Sequence, residues 1–168
     1  MVLQKLTSFF WLLLTLVGCN AQSLPSQSIP DDTLITLQRS VCYGACPDYK
    51  LTISADGTVT FEGHQFVRVK GKAKKMISAE QLRQLIAEFE KAKYFSLTDK
   101  YETERDGCPE VWTDNPWVVT SIRINGKSKS ISHYHACREN RGNALYPKGL
   151  TELESKIDQI VGTKQWIE

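Results

Sequence analysis

The chain has 168 residues, with 21 lysines and arginines against 19 aspartates and glutamates, a formal net charge of +2, and five cysteines. Hydrophobic residues at 41% and charged residues at 24% are those of an ordinary globular protein, which excludes disordered and collagen-like chains. The near balance of charge excludes a protein held to nucleic acid by bulk electrostatics, and the length suits one domain with its own core.

Residues 1–18 read MVLQKLTSFFWLLLTLVG, with one basic residue, Lys5, ahead of an uncharged apolar run from Phe9 to Val17. A helix crossing the ~30 Å hydrocarbon layer needs about 20 apolar residues, so this run is too short to span. It matches a secretory signal peptide instead. Leu16-Val17-Gly18-Cys19 resembles the lipobox of bacterial lipoproteins. That resemblance implies cleavage before Cys19, a diacylglycerol thioether on its sulfur, and an acyl chain such as palmitate on the new amino terminus. Each buried methylene contributes ~0.8 kcal/mol, so two or three chains hold a protein firmly to a bilayer. The expected address is the bacterial cell envelope, with the membrane as a partner through the lipid anchor. Asn20, standing where an aspartate would signal inner-membrane retention, favours an outer membrane facing the periplasm, in a host that has one. Residues 19–33 carry Pro25 and Pro30 among small polar residues and are expected to be the lipidated cysteine and a flexible tether. A single domain then covers 34–168.

Within that domain Leu34 to Leu37 reads as a first strand. Tyr49, Leu51 and Ile53 alternate with Lys50, Thr52 and Ser54, as in a half-buried strand. Asp56-Gly57 supplies a tight turn before Thr58 to Phe61, and a fourth strand is expected over Phe66 to Ile77. Ser78 and Gln81 form a capping box ahead of a helix whose Leu82, Leu85, Ile86 and Phe89 make one apolar stripe. The second half repeats the grammar. Val118 to Ile124 is a strand, Asn125-Gly126 a turn, and Lys127 to His135 the return. A final helix opens at Pro147 or Thr151, buries Leu150, Leu153, Ile157 and Ile160, and stops at Gly162. The expected fold is α+β, an antiparallel sheet of about six strands with two helices on one face. The repeated pattern suits a duplicated ββα unit, or equally any two strand–turn–strand–helix units.

With Cys19 assigned to lipid, Cys42, Cys46, Cys108 and Cys137 remain, and export favours disulfides between them. Four cysteines allow three pairings, which sequence does not distinguish. The preferred one is Cys42–Cys46, closing a small loop around Gly44, with Cys108–Cys137 pinning the long segment 95–117. The Cys42-x-x-x-Cys46 spacing is wrong for a thioredoxin-like redox motif.

His133, His135 and Cys137 alternate along one predicted strand and so share a face. A His-x-His pair on a strand can chelate a transition metal. Ile131 on the same face equally suits buried, hydrogen-bonded histidines, and an oxidised Cys137 would not be a thiolate ligand. Glu102, Glu104, Asp106 and Glu110 cluster in a loop, and such clusters serve as solvated surface more often than as catalytic pairs. Trp112, Asp114 and Trp117 lie on the long connection, where aromatic side chains suit a sugar or peptide ligand or, alternatively, a lid over the core. Arg68, Lys70, Lys72 and Lys74 alternate on the fourth predicted strand, to meet an anionic surface or to guard a sheet edge.

Val41-Cys42-Tyr43-Gly44-Ala45-Cys46-Pro47-Asp48-Tyr49, the Asp56-Gly57 turn, Cys108-Pro109, Thr113-Asp114-Asn115-Pro116 and the closing Leu153-Glu154 to Trp166-Ile167 resemble a family of uncharacterised exported bacterial proteins. It is catalogued as a domain of unknown function, and many members carry lipoprotein signals. The similarity covers most of 34–167, with Cys-Tyr-Gly-x-Cys-Pro its most specific element. It implies an exported single domain and brings no catalytic residue or ligand. There is no Gly-x-Ser-x-Gly, no His-Glu-x-x-His and no phosphate-cradling glycine loop. The expectation is an envelope-anchored, non-enzymatic binding or scaffold module for an envelope protein or glycan, with no cofactor and no nucleic acid. A metal-binding protein using His133 and His135 is the alternative, and a hydrolase is third.

Overall fold

A computed structural model describes residues 28–139 and 144–168; the expected signal segment and Cys19 lie outside the described residues. Among the described residues no helix is long and apolar enough to cross a membrane. Strand β1 (Leu34–Arg39) lies at the centre of a mostly antiparallel sheet, between β2 (Asp48–Ser54) and β7 (Trp117–Ile124). The sheet continues on one side through β3 (Thr58–Gln65) to β4 (Gly71–Met76). On the other side it continues through β8 (Lys127–Tyr134) to the two-residue β5 (Lys100–Tyr101), which pairs in parallel with β8. Seven strands result where about six were expected. A separate ladder joins β6 (Glu110–Val111) to β9 (Cys137–Arg138). Two-residue strands carry no periodicity, which is why β5, β6 and β9 escape a pattern reading.

The register stacks one parity of every strand into rows. Val59, Ile53, Ile35 and Ile122 form one row, and Phe61, Leu51, Leu37, Thr120 and Ile131 the next. All nine side chains are buried. The one polar member, Thr120, offers its carbonyl and hydroxyl to the Tyr94 hydroxyl at 2.8 and 2.9 Å, so no donor is stranded. A third row runs Gly63, Tyr49, Arg39, Val118, His133 and Tyr101. It begins at glycine because the chain folds back over it: a Cβ at Gly63 would overlap the Val69 carbonyl.

Helix α1 (Ala79–Lys91) begins with the capping box, Ser78 Oγ accepting from Gln81 N–H at 3.1 Å and Gln81 Oε1 from Ser78 N–H at 3.0 Å. Helix α2 (Lys148–Val161) starts after Pro147 and ends at Gly162 in a left-handed cap. The side chain of Gln81 ties the two helices by donating to the Ile160 carbonyl at 3.1 Å. Leu150, Leu153, Ile157 and Val161 of α2 are buried against the rows, at ~2 kcal/mol of apolar burial each. That burial outweighs the cost of carrying one charged residue, Glu154, into the same stripe. A last turn, α3 (Lys164–Ile167), stacks Trp166 on Phe61 at 4.8 Å, and Phe61 stacks on Tyr49 at 5.5 Å.

Two expectations are corrected here. The fourth strand does not run from Phe66 to Ile77; Phe66 takes a positive φ of 52°, the chain bends, and β4 begins only at Gly71. The return strand stops at Tyr134, so His135 lies in the turn that follows rather than on the strand. The described end of the expected tether is in contact with the domain. The Asp32 carboxylate accepts from the Asn125 and Gly126 amides at 2.9 and 2.7 Å, and Ile29 packs against the core.

Candidate functional site

Glu154 is a charged side chain on an apolar stripe, four residues after Leu150 and three before Ile157. Its carboxylate meets the third sheet row where β8 ends. Oε1 lies 2.8 Å from His133 Nδ1, and Oε2 lies 2.8 Å from His135 Nε2. The side chains of Glu154 and His133 are 1% and 0% exposed, and that of His135 is 16% exposed. His133 Nε2 faces the Tyr146 carbonyl at 3.0 Å. A carbonyl only accepts, so Nε2 carries a hydrogen and Nδ1 is the atom left for Glu154. Burial alone would raise the glutamate, but hydrogen bonds from both imidazoles outweigh it and hold the carboxyl below its ordinary range. Tyr101 stands edge-on to His133 at 6.4 Å and to Tyr146 at 5.9 Å, closing the interior side. Among the described residues neither a hydroxyl nor a thiol hydrogen-bonds these three groups.

One helical turn further on, Asp158 meets the same row at Arg39 and Tyr49. Arg39 donates to Oδ2 from Nε at 2.9 Å and from a terminal nitrogen at 2.8 Å, and the Tyr49 hydroxyl donates to Oδ1 at 2.6 Å. Burial would lower the guanidinium, but the Asp158 carboxylate beside it prevails and raises it. Burial, then the same carboxylate, raises the phenol of Tyr49.

The sequence-predicted His133 and His135 are thus brought together, and the residue that joins them, Glu154, was missed as a site. Its signal was present: an acid inside the Leu150, Leu153, Ile157 stripe. Cys137 does not join the imidazoles; it pairs with Cys108, the Cα atoms 5.3 Å apart, and Cys42 pairs with Cys46 at 5.5 Å. Both pairs are the preferred ones.

The tryptophans of the long connection do not form a lid. Trp112 and Trp117 are 39% and 43% exposed. Trp117 stacks on Tyr134 across β7 and β8, centroids 4.1 Å apart, on the face away from the helices. The Arg138 guanidinium lies over the Trp112 ring at 4.9 Å. Asn115 holds the loop: its side chain donates to the Thr113 carbonyl at 2.7 Å and accepts from Arg138 at 3.2 Å. Asp114 takes a positive φ of 64° beside it. The His135 amide donates to the Pro116 carbonyl at 2.9 Å, so this loop and the buried cluster share one backbone bond.

The remaining candidates separate. Lys72 and Lys74 are exposed on the edge strand β4, whereas Arg68 and Lys70 sit in the bend, where Arg68 donates to the Gln165 carbonyl. Asp106 accepts from the Thr103 amide and hydroxyl, and Glu110 from the Trp112 indole at 2.8 Å, so these two acids hold the loop. A surface hollow lies elsewhere, around the Asp99–Lys129 ion pair, and is lined by no imidazole or thiol.

Residues 33–161, more than three-quarters of the chain, match the family model of DUF6438, a domain of unknown function. The chain belongs to that family. No curated protein matches it.

Proposed function

Because membership in a family of unknown function carries no activity across, we propose a role from the residues themselves. The domain is the folded part of an envelope lipoprotein, anchored through lipid on Cys19, that binds an envelope protein or glycan without transforming it. The observation that carries this reading is the exposed Trp117, stacked at 4.1 Å on the half-buried Tyr134, beside Trp112 and Arg138. Two tryptophans left about 40% exposed give up apolar burial that the core would otherwise use. The Asn115 bonds keep the loop in one shape, so little ordering entropy is lost when a partner docks. The signal and lipobox residues support export, and the cysteine pairs suit an oxidising compartment.

A photo-crosslinking residue placed at Asp114 in living cells tests both halves at once. A discrete adduct in the membrane fraction, reduced at least about tenfold by Trp117→Ala with the fold intact, is the expected result; that ratio corresponds to ~1.4 kcal/mol, within what an aromatic anchor supplies. In the same cells Cys19→Ala should shift the protein from the detergent phase to the aqueous phase. An adduct indifferent to Trp117, or unchanged partitioning, would overturn the corresponding half.

A further inference from the structure

We propose that His133, His135 and Glu154 form a binding site for one divalent transition-metal ion, with zinc the best match to the donors. This goes beyond the aromatic end, which it does not need. The three side chains each offer one ligand atom, and these atoms all lie within 4.8 Å of one another. Two imidazole nitrogens and one carboxylate oxygen are the donors that zinc takes, whereas calcium and magnesium call for sets built from oxygen.

The surroundings of His133 favour a metal over an accidental cluster. A ligating histidine usually donates its second ring N–H to a carbonyl or carboxylate, which fixes the tautomer and aims the other nitrogen. Here the Tyr146 carbonyl receives Nε2 at 3.0 Å, so Nδ1 is the atom aimed into the cluster. A metal ion between Nδ1, Nε2 of His135 and the carboxylate would take all three as ligands.

The spacing is within reach. Bonds of ~2.0–2.1 Å in a tetrahedral arrangement place two ligands of one ion about 3.4 Å apart, so the widest pair, within 4.8 Å here, must close by roughly 1.4 Å, a side-chain rotation. The carboxylate already sits 2.8 Å from each imidazole. His133 and Glu154 are sealed from solvent, and His135 is the rim through which an ion arrives. Three protein ligands leave a fourth position for water or an anionic group. The other histidine, His64, faces Asp48 at 3.1 Å on the surface and belongs to no three-ligand group among the described residues.

The test uses the full chain, purified in detergent, stripped with a chelator and titrated with zinc chloride in a calorimeter. One zinc per chain is expected. Glu154→Gln and His135→Ala should each weaken it by at least roughly tenfold, since even groups outside the ligand set cost that much. His64→Ala should leave it unchanged. Loading the wild type with copper(II) reads the ligands without any variant: the electron paramagnetic resonance spectrum should show coupling to two imidazole nitrogens. This arm keeps the proposal testable if a variant fails to fold. Absence of binding to the wild type, equal affinity in Glu154→Gln and His135→Ala, loss in His64→Ala, or a copper spectrum without nitrogen coupling would each overturn it.

Discussion

Glu154 and Asp158 stand one turn apart on α2, over the same row of the sheet; Asp158 is held by two side chains from that row, and Glu154 by one from the row, His133, and one from the turn after it, His135. Their partners differ in kind. Asp158 is bound by Arg39, which keeps its charge at any pH the fold survives, and by Tyr49, whose hydroxyl burial holds as a donor. Glu154 is bound by two imidazoles, whose ring nitrogens are also metal ligands by type. Exposure differs as well: the Arg39 and Asp158 side chains keep 19% and 22%, whereas those of His133 and Glu154 keep 0% and 1%. The comparison separates a permanent clamp between helix and sheet from a clamp of the same shape that can be loaded. What decides between them is the chemistry of the donors, since helix, row and spacing are shared.

The largest effect should come from removing each carboxylate in turn. Glu154→Ala leaves two imidazoles around a dry cavity and is expected to cost about 3 kcal/mol, the lower end for one partner of a buried pair. Asp158→Ala leaves Arg39 able to reach water, and the cost should be nearer 2 kcal/mol. Urea unfolding of both variants measures the difference. Equal losses would mean that burial does not distinguish the two clamps.

The second effect is in acid. The folded carboxyl of Glu154 lies below its ordinary value of 4.5, because the two imidazole hydrogen bonds prevail over burial. Its stabilisation is therefore complete above that ordinary value and is lost as pH falls through the lower folded value, where the unfolded chain has already taken up the proton. Stability measured from about pH 5 downward should fall more steeply in the wild type than in Glu154→Gln. Parallel curves would show that another carboxyl governs acid unfolding.

Much of this was legible before any coordinates. The Ser78–Gln81 capping box, the Asp56-Gly57 and Asn125-Gly126 turns, and the stop at Gly162 are local devices whose residues sit together in the chain. The preferred cysteine pairing also agrees with the structure, although only tertiary proximity could select it. What escaped were features made by register. The third row sets Arg39 beside Val118 and brings Arg39 to Asp158, residues far apart in sequence. An acid on an apolar helical stripe hinted at Glu154, but nothing local could say that two histidines would lie opposite it. Phe66 misled because an apolar residue in an alternating run reads as strand, whereas its left-handed backbone ends the run.

The smallest effect is the most selective. Tyr49→Phe removes the bond the hydroxyl donates to Asp158 and the one it accepts from Arg39 Nε at 3.0 Å, and leaves both Arg39 bonds to Asp158 in place. Stacking on Phe61 keeps the ring where it is, so the loss should be that of these two hydrogen bonds, about 1.5 kcal/mol because Arg39 Nε still bonds the carboxylate. Because Asp158 lies outside the loadable clamp, the variant should still gain from zinc as the wild type does. At a free concentration near 100 times the dissociation constant that gain is about 2.7 kcal/mol, provided the unfolded chain does not bind the ion. Urea midpoints with and without zinc, for the wild type, Tyr49→Phe and Glu154→Gln, place the boundary between the clamps. An equal zinc shift in the first two is expected, and in the third a shift of about 1.4 kcal/mol or less, which is what a tenfold or greater loss of affinity leaves. A reduced shift in Tyr49→Phe would mean that the two carboxylates, carried by residues about 6 Å apart along an ideal helix axis, act as a single unit.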